Sequence, residues 1–441
     1  MIALIDGEHY PPVVRDALNA LSEDYGYEVV AAVFIGGAEK ISDAGELAVD
    51  VPLYKAETPE QALIEAIEEV SPMAVVDLSD EPVLDYAKRF RLASFALSKG
   101  VAYVGADFRF DPPDLPDLLS KPSLGIIGTG KRIGKTAVSG FACRVLSASG
   151  FSPAVIAMGR GGPPIPESLL GGKIELTPEG LLAFARKGKH AASDYFEDAL
   201  TSRITTIGCR RCGGGLAGAP FFSNVPAGAR IANALEEDFV IAEGSGAALP
   251  PVRVDAYLLT IGAAQPEEYA VGYFGTYRAL LADVAAITMS EEPFADEEKV
   301  NRLYRRLKSI KPDLKVVKTA FRPKPLGEIK KRRVFVAMTA SPEAETAVRS
   351  HLEGLGAEIV GMCFSLSDRQ KLARDLEKAS AAEVLLTELK AAAVDVATKK
   401  ALDMGLEIIY LDNEPVSVGG DGDLKELIVE LADIAVERFS A

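Results

Sequence analysis

The 441-residue chain is poor in the residues that build metal and redox centres, with four cysteines and three histidines. Cys209 and Cys212 are spaced C-x-x-C, but Cys143 and Cys363 form no second pair and no histidine pair stands at zinc spacing. Neither a zinc site nor a dithiol is therefore expected. His190 and His351, beside apolar stretches, are expected at the surface or satisfied by neighbours. Positive charge is also scarce. Lys and Arg number 48 against 64 Asp and Glu, a net charge of -16, which argues against a general nucleic-acid or membrane binder. No apolar run is long enough to span a bilayer. The N-terminus, MIALIDGEHY, lacks a basic segment followed by an apolar core, so a cytoplasmic protein is expected. There is no internal repeat and no low-complexity tract. What remains, 48% hydrophobic and 25% charged, suits a soluble globular chain with a large core, and the length predicts two or three domains.

The chemistry concentrates in one stretch, SLGIIGTGKRIGKT, from Ser123 to Thr136. Leu124, Ile126 and Ile127 read as a buried strand. Val138, Phe141, Ala142, Val145 and Leu146 follow at helical spacing. Between them lies a glycine turn ending in Gly134-Lys135-Thr136. Glycines let backbone amides crowd around phosphate oxygens where a Cβ would block approach. The lysine supplies a point charge to the β- and γ-phosphates, and the threonine hydroxyl suits Mg²⁺. The helix aims its positive end at the anion. Thr129, between Gly128 and Gly130, stands where the common pattern has glycine, so the loop fits a G-T-x-x-x-x-G-K-T variant. ATP and Mg²⁺ are the expected ligands, with Gly128, Thr129, Gly130, Gly134, Lys135 and Thr136 around the nucleotide.

The rest of the chain predicts an α/β protein in three parts. Residues 1–120 alternate strands and helices as a Rossmann-like parallel-sheet domain: strands Ile2 to Ile5, Glu28 to Ile35, Met73 to Leu78 and Val101 to Val104, with helices between. The loop ends of these strands collect Asp6, Glu8, His9, Gly36, Gly37, Asp77, Asp80 and Gly105. Asp6-Gly7-Glu8-His9 fits either a ligand loop or a plain turn with a helix cap. A proline-rich linker then leads to a P-loop NTPase domain over 121–330. Its strand Pro153 to Met158 ends in GRGGPP, carrying Arg160. A helical region covers about Pro178 to Leu200. Cys209-Arg210-Arg211-Cys212, with glycines on either side, reads as an anion-gripping loop, since arginine forks match phosphate oxygens. Strand Asp238 to Ala242 ends in Glu243-Gly244-Ser245-Gly246, and Glu243 stands where a second Mg²⁺ contact belongs. Pro323-Lys324-Pro325 reads as a boundary. A C-terminal α/β extension follows over 331–441, with strands Val334 to Met338, Glu358 to Phe364, Glu383 to Leu386 and Leu406 to Leu411 and an acidic last helix that packs.

Taken together, IALIDGEHYPPVV, GTGKRIGKTAVSG, AMGRGGPP, IGCRRCGGGLAG and FVIAEGSGAALPPV resemble the cyclic 2,3-diphosphoglycerate synthetase family, in the P-loop branch that includes dethiobiotin synthetase. The resemblance runs from Ile2 past Arg322. It implies an ATP-dependent ligase that converts 2,3-diphosphoglycerate to its cyclic form by an intramolecular phosphoanhydride, releasing ADP and phosphate. A polyanionic substrate beside a triphosphate needs local cations in this acidic chain. Lys131, Arg132, Lys135, Arg160, Arg210 and Arg211 are the candidates for that clamp. His9 and Arg15 are candidate substrate contacts from the first domain, and a homodimer is expected. Two other readings compete: a dethiobiotin-type ring-forming ligase on a carboxylate, and a regulatory P-loop NTPase. The arginine pair speaks against the first. The absence of an Asn-Lys-x-Asp loop and of clustered metal ligands speaks against the second.

Overall fold

The computed structural model describes residues 1–41, 47, 49–173, 177–188, 191, 193–390 and 392–441; His190 lies outside them. Its contacts divide it into two units. Unit 1 holds Met1–Pro113, Glu267–Leu281 and Ser309–Pro312, and unit 2 holds Asp114–Pro266, Ala282–Lys308 and Asp313–Ala441.

Unit 1 is built on six strands: β1 (Ile2–Ile5), β2 (Ala31–Phe34), β3 (Leu53–Tyr54), β4 (Ala74–Asp77), β5 (Ala102–Val104) and β6 (Arg109–Phe110). Their order is β3-β2-β1-β4-β5-β6, parallel except for the β5–β6 pair. This is a doubly wound arrangement whose order reverses beside β1, as expected of a Rossmann-like sheet. Helices α1 (Pro11–Glu23), α2 (Pro59–Val70) and α3 (Tyr86–Ser98) make the crossovers. Each has a local reason to start where it does. Pro11 leads α1, while the Thr58 and Asp85 side chains accept the backbone amides of Gln61 and Lys88. The second strand is shorter than the expected Glu28 to Ile35.

Unit 2 is organised by one long sheet. Its strands are β7 (Ser123–Gly128), β8 (Pro153–Gly159), β9 (Glu167–Leu170), β10 (Thr205–Cys212), β11 (Phe222–Ser223), β12 (Phe239–Glu243), β13 (Ala256–Gly262), β14 (Val284–Thr288), β15 (Lys315–Pro325), β16 (Arg333–Ala337), β17 (Glu358–Cys363), β18 (Val384–Glu388) and β19 (Glu407–Gly420). The order is β11-β10-β8-β12-β7-β13-β14-β15-β19-β18-β16-β17, with β9 added on β10. The strands β7, β8, β12, β13 and β14 are buried along their whole length. That is why they read as unbroken apolar runs rather than alternating ones.

One sequence reading is corrected here. Cys209-Arg210-Arg211-Cys212 is the end of a strand, not a loop, and β10 pairs in parallel with β8 through Arg210 and antiparallel with β11 at Arg211 and Cys212. Pro323-Lys324-Pro325, read as a boundary, does not interrupt the sheet. β15 runs straight through it, antiparallel to β19 from Val317–Gly420 to Pro325–Leu411. The prolines are tolerated because amides alternate along a strand. The Leu326 amide donates to the Tyr410 carbonyl at 2.9 Å. Positions 323 and 325 therefore point their missing donors the other way, where pairing with β14 has ended at Lys318.

The β15–β19 pair joins the C-terminal strands to the P-loop sheet. The last helix, Leu424–Ser440, packs as expected. Its Leu424, Leu427, Ile428, Leu431 and Ala435 are buried in the same core as Val138, Ala142 and Val145 of α4 (Lys135–Ala148). The helical region expected over Pro178 to Leu200 is two helices, α5 (Pro178–Arg186) and α6 (Asp194–Ser202). The restart puts Asp194 in the first turn of α6.

Candidate active site

The glycine loop joins β7 to α4 at the C-terminal edge of the sheet. Gly134 caps α4 with φ +81, the left-handed conformation that glycine adopts without penalty. A Cβ there would overlap the Phe321 ring, and one on Gly130 would overlap the Gln265 amide. Thr129 is explained by the same glutamine. Its hydroxyl donates to Gln265 Oε1 at 2.6 Å, and its amide donates to the Thr260 carbonyl at 3.2 Å, tying the loop to β13. Arg132 is held at φ +57, a conformation costly for a side chain other than glycine. Lys135 Nζ donates to the Gly246 carbonyl at 3.1 Å, across the loop that follows β12. Gly134→Ala combines a left-handed backbone, about 1–2 kcal/mol, with the collision against Phe321. ATP binding by that variant, titrated calorimetrically, is expected to be lost while the thermal midpoint falls.

Next to β7 runs β12, with Glu243 opposite Ile126. Glu243 is 3% exposed, and among the described residues its Oε1 has no hydrogen-bond partner. Burial pushes its carboxyl up to about 8, and the Ser139 hydroxyl and Lys135 ammonium nearby oppose that shift. Asp198, on α6, is fully buried, and among the described residues both its carboxylate oxygens lack a partner. Burial, and then the charge of Glu243, raise it well above the usual carboxylate range. Glu197, one residue earlier, is raised by burial to about 7 against the pull of Lys390.

These shifts fix a sign. Glu243 ionises near its ordinary 4.5 when unfolded and near 8 when folded, so folding takes up a proton between those values. Its contribution to stability is fully present below about 4.5 and is lost as the pH rises to about 8. Without nucleotide, Glu243→Gln is therefore expected to gain stability over the wild type progressively across that window. The gain should level off above it at a few kcal/mol. Paired denaturant titrations from pH 4.5 to 9 read it directly, and a parallel pH dependence in the two proteins would refute it.

Loop and carboxylate open into one cavity of about 1120 Å³. Of the residues expected from sequence, Gly130, Lys131, Arg132, Gly134, Lys135, Thr136, Arg160 and Glu243 line it. Gly128, the last residue of β7, and Thr129, just past it, lie buried beneath. Arg210 and Arg211 stand beside it rather than in its wall. Arg210 Nε donates to the Gly162 carbonyl at 3.0 Å. Arg211 donates to the Ser245 carbonyl at 2.7 Å, and its guanidinium lies against Gly246 with the Lys131 stem. Burial and the neighbouring Arg160 charge lower the Arg211 pKa, as expected where two cations share one region. Cys209 is buried and Cys212 exposed, and both are free. Three residues apart on a strand they face opposite ways, so the C-x-x-C is no dithiol pair.

Sequence reasoning missed three parts of the wall. Asp194 lines the cavity, and its charge raises Glu243, Glu197 and Asp198. Phe321, on β15, covers Gly134. The third part is C-terminal: Thr339, Ser341, His351, Glu388, Lys390 and Asn413 all line the cavity. Glu388 accepts from the Thr339 amide and hydroxyl and from the Asn413 amide, each at 2.7 Å. His351 Nε2 meets the Pro323 carbonyl at 2.8 Å, so it is satisfied as expected.

His9 and Arg15 belong to unit 1. Asp6, 1% exposed, accepts the amides of Glu8, His9 and Asp80 and lies 2.8 Å from His9 Nδ1. The Asp-Gly-Glu-His turn is thus tied down by its own aspartate. Arg15 reaches the Leu47 carbonyl at 3.5 Å. Among the described residues no group of three or more His, Cys, Asp and Glu is arranged to hold a metal, and no helix is long and apolar enough to cross a membrane.

Three family models match the chain: the N-terminal, P-loop and C-terminal domains of cyclic 2,3-diphosphoglycerate synthetase, over residues 1–111, 123–320 and 325–414. The cyclic 2,3-diphosphoglycerate synthetase of Rubrobacter xylanophilus is 51% identical over 425 residues, 96% of each chain. That of Methanothermus fervidus is 48% identical over 450 residues, 100% of this chain and 98% of its own. Among solved structures, LpxK from Aquifex aeolicus in complex with ATP is 12% identical and covers 72% of this chain and 90% of its own, at a TM-score of 0.41.

Proposed function

Because the chain belongs to the cyclic 2,3-diphosphoglycerate synthetase family, we propose that it closes 2,3-diphosphoglycerate into its cyclic form, converting ATP to ADP and phosphate. The observation that carries this reading is the shared cavity. Lys135 and Thr136 of the nucleotide loop, the cations Lys131, Arg132 and Arg160, and the buried Glu243 all line it. The residues fit both ligands. Gly130 and Gly134 leave the space phosphate oxygens require, and Glu243 Oε1 is a buried acceptor without a partner among the described residues. Mg²⁺ held by Thr136 and Glu243 would neutralise phosphate charge and orient the donor.

The reaction needs no protein nucleophile, because phosphate oxygens are already ionised at neutral pH. An oxygen of one substrate phosphate bonds the γ-phosphorus of ATP, and the bond to the β-phosphate breaks to release ADP. An oxygen of the other substrate phosphate then attacks the substrate phosphorus of that new anhydride. The ring closes and inorganic phosphate leaves. What the chain supplies is position and charge. Lys135 steadies the phosphoryl group in transfer, while Lys131, Arg132 and Arg160, backed by Arg210 and Arg211, hold the substrate against its own repulsion. His9 and Arg15 are assigned as further substrate contacts from unit 1, and a cytoplasmic homodimer belongs to the same reading.

The dethiobiotin-type and regulatory alternatives are not favoured, since the relatives matched over nearly their whole length carry one name. Phosphorus NMR of the protein with Mg-ATP and 2,3-diphosphoglycerate tests the proposal. A cyclic pyrophosphate signal growing with ADP supports it. ATP consumed only on adding a carboxylic acid without phosphates would overturn it.

A further inference from the structure

The wall facing the nucleotide loop is built from residues more than two hundred positions further along the chain. Most of its polar groups are already committed. Thr339 and Asn413 are engaged with Glu388, and His351 with a backbone carbonyl. Lys390 is different. It follows β18, which runs antiparallel to β7 and ends at the cavity that the P-loop lines. Among the described residues its ammonium has one ion-pair partner, Glu197 Oε1 at 3.1 Å. An ammonium carries three donors, so this contact leaves donors to spare.

The exposures of the two partners differ in a telling way. The Glu197 side chain is 10% exposed and does not line the cavity, whereas the Lys390 side chain is 28% exposed and does. The lysine thus stands between a buried carboxylate and the open space. Burial works to lower its pKa, but Glu197 and Glu388 outweigh that and hold it above the ordinary lysine value. It keeps its charge throughout the neutral range. A permanent cation with spare donors, on the cavity wall, is suited to an anionic oxygen in the cavity rather than to its acidic neighbour alone.

We propose that Lys390 is a substrate-binding residue, its ammonium donating to Glu197 on one side and to an anionic group of 2,3-diphosphoglycerate on the other. This rests on the reading of the cavity given above. It extends the charge clamp to the C-terminal segment, which no glycine-rich loop of the sequence marks. Glu197 then has a definite role. It anchors the end of the lysine stem, so that the charge is presented in one place when substrate enters.

Lys390→Met alone would leave the buried Glu197 carboxyl without its partner, so a loss of stability would confuse the result. The informative protein is the double variant Lys390→Met/Glu197→Gln, in which both charges are removed and both shapes kept. Calorimetric titration with 2,3-diphosphoglycerate and, separately, with Mg-ATP is the measurement. The double variant is expected to melt within a few degrees of the wild type, to bind Mg-ATP as the wild type does, and to bind 2,3-diphosphoglycerate at least tenfold more weakly. Glu197→Gln alone should keep most of the substrate affinity, because the lysine remains. Unchanged substrate affinity in the double variant would overturn the assignment, as would a fall in Mg-ATP affinity of the same size. A wild-type protein that does not bind 2,3-diphosphoglycerate at all would instead overturn the reading of the cavity, so the two failures are distinct.

Discussion

Lys135→Ala is expected to release no measurable ADP in the presence of Mg²⁺ and 2,3-diphosphoglycerate. Lys135 is the first residue of α4 and lines the cavity beside Thr136. Its ammonium donates to the Gly246 carbonyl across the mouth of the loop, where a β- or γ-phosphate oxygen would compete for the same donor. Removing one preorganised donor from charge that develops in a transition state costs roughly 10²–10³ in rate. A full positive charge on a transferring phosphoryl group belongs at or beyond the upper end of that range. Alanine is a good helix former, so the fold is expected to survive. A steady-state assay coupled to ADP, run beside a thermal melt, separates the two effects. Turnover near the wild-type value would show that the chemistry takes place elsewhere.

The second large effect concerns Glu243. Replacing it with Gln preserves shape and removes charge where Mg²⁺ is assigned. Several kcal/mol of charge stabilisation come from a catalytic metal, and each 1.36 kcal/mol is tenfold in rate. A fall in turnover of roughly 10²-fold or more is therefore expected, together with a rise in the Mg²⁺ concentration needed for half-maximal activity. The same variant should be the more stable protein above neutral pH, as argued from the carboxyl held near 8. Loss of activity with gain of stability marks a group kept for function. If the Glu243→Gln protein needed no more Mg²⁺ than the wild type, Glu243 would be a buried structural acid and nothing more.

How much of this can be read from the sequence depends on how local each feature is. The nucleotide loop is legible because strand, glycines, lysine and threonine fall within one short stretch and share one ligand. Glu243 is legible because a carboxylate ending an apolar strand has a position as well as a chemistry. Arg210 and Arg211 read as a loop because the glycines after them suggest a turn. The strand is decided instead by pairing with β8 and β11, which lie about fifty residues before and about ten after. Pro323 and Pro325 read as punctuation because two missing amides matter only if a neighbour wants them, and β14 has already ended. Asp194, Phe321 and Lys390 cannot be found by spacing at all. They meet because α6, β15 and the end of β18, far apart in the chain, border one cavity. The one trace in sequence is Lys390 itself, a single charge between Leu389 and a run of alanines just past an apolar strand.

The β15–β19 pairing also bears on how the chain can be cut. β15 is an eleven-residue strand held by β14 along its first four residues and by β19 along most of its length. A fragment ending near residue 330 would keep every residue of the nucleotide loop, yet it would bare this strand as a long open edge. It would also strip the last helix from the core around α4. Unpaired edges of that length recruit other chains. Aggregation is therefore the natural fate of the excised nucleotide-binding half. The C-terminal segment acts as its built-in cover, which ties the solubility of that half to the completion of the whole polypeptide.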